Sequence, residues 1–275
     1  MGDHSSARGR AGRPRRLVVR GLNRLLLAPV LLLVAGCGTV LHSAAALDTT
    51  QVQALEAFDY SDWTAVLESH VDDQGRVNYE ALLAAREPLD RFVALVGAAG
   101  PKTRPELFPT PEHKLAYYVN AYNACTLFNV LHAWPLESVN DSSVTFFMLT
   151  KFKIDGEELS LYALENDVVR PRFKEPRAHF ALNCASAGCP RLPNEPFLPE
   201  SLEAQLARET ERFLHEARNV SREGDAVVLS QIFEWYADDF SPSPLAWIAS
   251  HAPDLGLSVD ADVEHRPYDW SLNRQ

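Results

Sequence analysis

The segment Leu33-Val34-Ala35-Gly36-Cys37 closes an apolar run that begins at Leu25, and it has the form of a lipobox, the site where bacterial lipoproteins are cut before a cysteine that is then lipidated. Read this way, residues 1–36 are an export address, and the fold must be built from the residues after Gly36. The parts of such an address stand in order. Arg8, Arg10, Arg13, Arg15, Arg16, Arg20 and Arg24 face one acid, Asp3. Leu25 to Gly36 spans about a dozen residues, short of the ~20 a membrane-crossing helix needs. Arg15-Arg16 before Leu17-Val18-Val19 has some likeness to a twin-arginine signal. Gly38 after the cysteine points to sorting to the outer membrane, facing the periplasm. The expectation is a cell-envelope protein held to its membrane through lipid on Cys37.

Removing that address sharpens the charge argument. The chain carries 26 basic and 37 acidic residues; without the seven arginines and one aspartate of residues 1–36 it keeps 19 and 36, a net charge of about −17. Such a body repels phosphate backbones, so nucleic acid is not an expected partner. It also resists lying flat on anionic lipid, so the acyl anchor must hold the membrane. The expected partners are the membrane, through that lipid, and an envelope ligand or protein that the sequence does not specify. Residues 37–54 read as a lipidated N-terminus and tether, and residues 55–275 as one globular domain. Beyond Cys37 stand Cys125, Cys184 and Cys189, an odd number, so at least one thiol stays free.

The pattern along the domain is richer in helix than in strand. Ser61 to His70 reads as a helix capped by Ser61 or Asp62, and Asp72-Asp73-Gln74-Gly75 turns the chain. Tyr79 to Val96 repeats apolar residues at helical spacing. Thr110 and Pro111 open a strongly apolar helix from His113 to His132, with Cys125 in its core. Lys151 to Leu159 reads as a hairpin about Asp155-Gly156. Ser160 to Val169 reads as helix, Arg177 to Cys184 as strand, Pro199 to Ala217 as helix and Ala226 to Leu229 as strand. Short helical turns come next, over Ile232 to Phe240 and Pro244 to Ser250. This predicts an α+β, helix-rich single domain with a small, mainly antiparallel sheet.

Three segments hold polar residues where a core should be apolar. Asn120 and Asn123 share a face of the apolar helix and need hydrogen-bond partners there; they either line a site or tie down loops. His179-Phe180-Ala181-Leu182-Asn183-Cys184 leads into Gly188-Cys189-Pro190. In a straight strand His179 and Cys184 lie on opposite faces, so His179 activates Cys184 only if the strand ends by Asn183, or else serves Cys189 beyond the turn. A thiol nucleophile, a Cys184–Cys189 disulfide and a zinc site compete here, with Ser186 a further nucleophile candidate. Zinc is the weakest because no CxxC or HxxxH spacing accompanies these residues. In Phe233-Glu234-Trp235-Tyr236-Ala237-Asp238-Asp239-Phe240, a carboxylate among aromatic residues either orients a histidine or, as is more common, caps a helix or pairs with an arginine.

Taken in order, these stretches resemble the bacterial branch of the family named domain of unknown function 547. The resemblance runs from Trp63 and Gly75-Arg76-Val77-Asn78-Tyr79 through Asn120-Ala121-Tyr122-Asn123-Ala124 and Trp134-Pro135-Leu136. It continues through Glu165, Arg170 and the His179–Pro190 stretch to Phe233-Glu234-Trp235-Tyr236 and Tyr268-Asp269-Trp270-Ser271-Leu272-Asn273. Tyr117-Tyr118 departs from an expected Phe-Trp pair. The resemblance implies a single domain, often exported, and carries no established reaction. It also implies that plant relatives keep the position of Cys184 but place serine near that of Cys189, which weighs against a disulfide as the general purpose of Cys184.

The leading expectation is a thiol-dependent hydrolase or acyltransferase with Cys184 as nucleophile, His179 as base and Asp239 as orienting carboxylate. Asn120, Asn123 and Tyr236 would bind substrate, and no cofactor or metal would be needed. A papain-like or transglutaminase-like arrangement would require a permuted chain, because the order here is Asn, His, Cys, Asp. The rival is a non-catalytic binding or scaffold lipoprotein of envelope or exopolysaccharide assembly, with Cys184–Cys189 as a structural bridge.

Overall fold

Thr110 supplies the clearest local instruction in the chain. Its hydroxyl accepts the His113 N–H, Pro111 fills the first helical position, and a helix runs unbroken over Pro111–Ala133. Seventeen consecutive residues of it, Leu115 to Leu131, are buried, so the rest of the domain wraps it. The computed structural model describes residues 38–275 apart from Asp225. The lipobox and the export signal fall on residues 1–37 and lie outside the described residues.

After a short helical turn (Thr49–Gln53), three helices lead to the central one: α1 (Ser61–His70), α2 (Tyr79–Ala84) and α3 (Glu87–Ala98), with the central helix as α4. The single helical run expected over Tyr79 to Val96 is broken at Ala85-Arg86, before Pro88 in the first turn of α3. The cap expected from Ser61 or Asp62 falls elsewhere: Asp59 accepts the Ser61 N–H at 2.8 Å, and Asp62 pairs with Arg91 on α3. Trp63 on α1 stacks on Phe92 of α3, rings 5.6 Å apart and 12° from parallel. After α4 come a π-helical turn (Val144–Leu149) and the predicted hairpin, then a second π-helical turn (Leu164–Val169). Two longer helices lie beyond them, α5 (Leu202–His215) and α6 (Pro244–His251).

The α+β class holds, but the sheet is not one mainly antiparallel unit. Strands β1 (Val40–Leu41), β2 (Lys151–Ile154) and β3 (Glu157–Ser160) form one three-stranded sheet; β4 (Val220–Glu223), β5 (Ala226–Ser230) and β6 (Val263–Arg266) form another. Each mixes one antiparallel hairpin with one parallel pair, β1 on β2 and β5 on β6. The hairpins are written in local turn residues, whereas the parallel partners come from distant sequence and leave no local signal. Residues 38–54, expected as a tether, carry β1 and a short helix, Thr49–Gln53, and Leu41 is buried. No helix among the described residues is long and apolar enough to cross a membrane.

Two apolar clusters fill the interior. One spreads around α4; the other gathers Phe213, Phe233, Phe240 and Trp247 beneath the β4–β5–β6 sheet. Phe180 belongs to the second and Ala181 and Leu182 to the first, so the segment carrying His179 runs along the seam.

Gly75 fixes a turn that packs against Arg191 and Leu192. Its φ is +78°, and a Cβ there would sit 2.6 Å from the Arg191 Cβ and the Leu192 N. A methyl group would meet backbone that is held on both sides, in a conformation L-residues avoid. Gly75→Ala is expected to cost roughly 2 kcal/mol or more, read from urea unfolding of the two chains.

Candidate functional site

The segment expected as a strand from Arg177 to Cys184 does not form one. Glu175 accepts the Arg177 N–H at 3.1 Å, Pro176 starts a 3-10 turn over Pro176–Phe180, and the chain then runs on irregularly. This removes the obstacle that strand alternation posed. His179 and Cys184 line one cavity of about 280 Å³, together with Tyr122, Glu165, Tyr236 and Tyr268.

His179 is held from two sides. Its Nε2 is 2.7 Å from Asp239 Oδ2, and its Nδ1 is 3.9 Å from Glu165 Oε1. Tyr236 covers its face, with ring centres 4.1 Å apart. Asp239 also accepts from Arg170 Nε at 2.6 Å, and the Arg170 guanidinium lies 4.9 Å from the centre of the Tyr236 ring. First the His179 bond and then Arg170 hold the Asp239 carboxyl well below the usual carboxylate range, against partial burial. A carboxylate depressed in the folded state contributes stability that is full above its ordinary value and is lost as pH falls through the folded value. The stability gap between the wild type and Asp239→Asn is therefore expected to shrink as pH drops below about 4, in urea unfolding repeated across pH.

Cys184 sits in a tight loop built by its neighbours. Asn123 accepts the Asn183 N–H at 2.8 Å and donates to the Ala181 carbonyl at 2.9 Å. Asn183 in turn accepts the Ala185 N–H at 2.9 Å and donates to the Pro190 carbonyl at 2.7 Å, closing the loop on itself. The C-terminal stretch pins its far side, with Ala187 N–H on the Ser271 carbonyl, Gly188 N–H on that of Asp269 and Asn273 N–H on that of Ala185. Ala185 has φ +66°, a left-handed conformation that costs a non-glycine residue about 1–2 kcal/mol. Strain of this kind, next to a half-buried thiol in a cavity wall, is the sort that surrounding structure must impose.

The loop surrounds the sulfur with hydroxyl and thiol groups whose hydrogens can turn to a thiolate. Ser186 Oγ is 3.0 Å and Tyr268 OH 3.5 Å from Cys184 Sγ, and these two hydroxyls are 3.1 Å apart. The Cys189 thiol and the Ser186 N–H also face the Cys184 sulfur, while the Cys184 N–H donates to Cys189 Sγ at 2.8 Å. The bond from Cys189, then those from Ser186 and Tyr268, pull the Cys184 thiol below its ordinary value although burial opposes them. Cys189 moves the other way: burial and the adjacent Cys184 sulfur push it well up. Cys125, buried inside α4, is pushed up by burial alone. All three thiols are free, and no disulfide joins Cys184 to Cys189.

The residues singled out from sequence thus divide. His179, Cys184 and Tyr236 share the cavity, and Asp239 backs the histidine. No hydrogen bond joins Cys184 to His179; the sulfur's partners are Cys189, Ser186 and Tyr268. Asn120 and Asn123, expected to line the site, do not reach the cavity. The Asn120 amide is spent on Trp63 Nε1 and on both backbone groups of Phe197, and that of Asn123 on residues 181 and 183. Glu165, Arg170 and Tyr268 complete the site without having been singled out as its members. Glu165 and Arg170 lie five apart, a spacing that separates two side chains on an α-helix; the π-helical turn between them widens the helix, and both converge on His179 and Asp239. A buried carboxylate in an apolar helical stretch was the available signal. Among the described residues, no three His, Cys, Asp or Glu side chains are placed to hold a metal ion.

No curated protein and no solved structure matches the chain. A match does come from the family model described as "Protein of unknown function, DUF547", which covers residues 108–214, from the loop before α4 through the Cys184 loop into α5, and this supports the family to which the sequence motifs point.

Proposed function

We propose that this chain is a lipid-anchored envelope protein with a thiol-dependent acyl-transfer site, acting as a hydrolase or acyltransferase. One observation carries the reading: a cysteine in hydrogen-bond contact with two hydroxyl groups shares a cavity with a histidine backed by a carboxylate. In most thiol enzymes the histidine makes the thiolate. Here the donors around Cys184 favour the thiolate instead, which leaves His179 to manage the proton of the departing group. The Cys184 thiolate attacks an acyl carbonyl, a C–S bond forms, and the bond from that carbon to the leaving oxygen breaks. The leaving group takes a proton from His179. Water or another acceptor then attacks the thioester, returns a proton to His179 and frees the Cys184 thiolate. Asp239, tied to Arg170, orients the imidazole throughout. The lipobox at Cys37 and the basic, then apolar, stretch before it support the anchor.

The test is the mass of the full chain after brief exposure to p-nitrophenyl acetate. The expected result is one added acetyl group on the peptide containing Cys184, absent from Cys184→Ala. A second reading is favoured by the missing hydrogen bond between Cys184 and His179: a non-catalytic binding protein of envelope or exopolysaccharide assembly. An unmodified chain, with no release of p-nitrophenol above that of Cys184→Ala, would select it.

A further inference from the structure

The cavity at Cys184 is small and its mouth is apolar. At about 280 Å³ it falls just below the range of small-molecule sites, which runs from about 300 Å³ upward, so it holds one group of a larger molecule. Val144, Met148, Tyr162 and Trp235 line it while remaining 58%, 47%, 48% and 44% exposed. They are four of the seven large apolar side chains that stand exposed among the described residues, so the exposed apolar surface gathers at this mouth. No lysine or arginine lines the cavity, and its ionisable oxygen and nitrogen groups beyond the tyrosines are Glu165 and His179 at the inner wall. A phosphate or carboxylate finds no counter-charge there, whereas an uncharged hydrocarbon chain does not need one.

The path of the chain brings the N-terminal end of the described residues to the turn that lines the mouth. Val144 and Met148 belong to the π-helical turn Val144–Leu149, and Gly38 packs on the end of that turn, where a Cβ would sit 2.5 Å from the Leu149 carbonyl oxygen. If Cys37, the residue before Gly38, carries the lipid proposed above, the anchor is tied to the chain next to the turn that bears Val144 and Met148. Trp235 and Tyr162 are of the types that settle at a membrane interface. The acidic excess of the chain favours zwitterionic over anionic lipid.

From these we infer that the mouth docks on the membrane and admits one acyl chain of an uncharged or zwitterionic lipid, with the ester carbonyl delivered to Cys184. The inference rests on the thiol reading for its chemistry, and on the lipid at Cys37 for its orientation. The acyl carbon passes from the lipid's ester oxygen to the Cys184 sulfur, and the deacylated lipid leaves with a proton from His179.

The experiment uses the full chain reconstituted in phosphatidylcholine vesicles that carry a nitroxide on the acyl chain. Two readouts are taken, tryptophan emission and fatty acid released from the lipid. The expected result is a quenched emission component that is lost in Trp235→Phe. Fatty-acid release is expected to disappear in Cys184→Ala and to fall about tenfold in Met148→Glu, where a charge enters the apolar rim. Unquenched Trp235 in a chain that still acylates Cys184 with p-nitrophenyl acetate overturns the docking and leaves the thiol reading standing. Quenching of Trp235 without acylation by either ester supports the docking surface and removes the thiol reading. Self-association that shields Trp235 and is broken by Met148→Glu overturns the docking in favour of a second copy of the chain.

Discussion

Cys184 is expected to be alkylated by iodoacetamide with a midpoint below the ordinary thiol value of ~8.5, while Cys125 and Cys189 stay unmodified at neutral pH. The order of the variants is the decisive part. Removing a donor from the sulfur, in Tyr268→Phe, Ser186→Ala or Cys189→Ala, should raise the midpoint, because each withdraws a bond that favours the thiolate. His179→Ala should leave the midpoint nearly in place, since no hydrogen bond links the imidazole to the sulfur, yet lower turnover by roughly 10²–10⁴ as expected for a lost proton donor. Cys184→Ala should lower turnover by at least ~10³. A midpoint that rises in His179→Ala and ignores Tyr268→Phe would return the histidine to the thiol and refute the donor loop as the source of activation. A chain two protons lighter, yielding a Cys184–Cys189 peptide under non-reducing conditions, would instead place the scaffold reading in front for the oxidised protein.

The same residues show what a sequence can and cannot announce. Local instructions were legible. Thr110 with Pro111 starts α4, Asp155-Gly156 turns the first hairpin and Gly224 precedes the strand of the second. The alternation of His179, Ala181 and Asn183 was misleading, because it is equally compatible with a turn once Pro176 and the Glu175 cap have bent the chain. That bend decides whether His179 and Cys184 face one space or two. Pairings across long stretches of sequence were not legible: β1 on β2, β5 on β6, and the 269–273 stretch that pins the Cys184 loop. The family motif at Tyr268 to Asn273 has a physical reading only once that loop is seen, with Tyr268 supplying a donor to the sulfur and Asn273 holding Ala185. Arg170 and Glu165 were present in the motif series, but only a widened helical turn assigns both to one histidine and its carboxylate.

Asn120→Leu is expected to cost about 3 kcal/mol or more, because it orphans the Trp63 indole N–H and both backbone groups of Phe197 within the core. For a domain of this size that lowers the midpoint of thermal unfolding by roughly 6–12 °C. Trp63→Phe withdraws one of those partners while leaving the Phe197 clamp in place, so its loss should be smaller and keeps the comparison readable if Asn120→Leu fails to fold. Asn123 is three residues along the same helix face and looks identical in the sequence, yet its consequences should differ. Asn123→Leu frees Ala181 and Asn183, which set the entry and exit of the segment between His179 and Cys184. Asn120→Leu should therefore destabilise the chain and leave the alkylation midpoint of Cys184 in the folded fraction where it was. Asn123→Leu should destabilise the chain and move that midpoint as well, since the donors reach the sulfur only while the loop keeps its shape. Equal midpoints in the two variants would mean that the C-terminal stretch alone holds the Cys184 loop, and that both asparagines serve the core without reaching the chemistry.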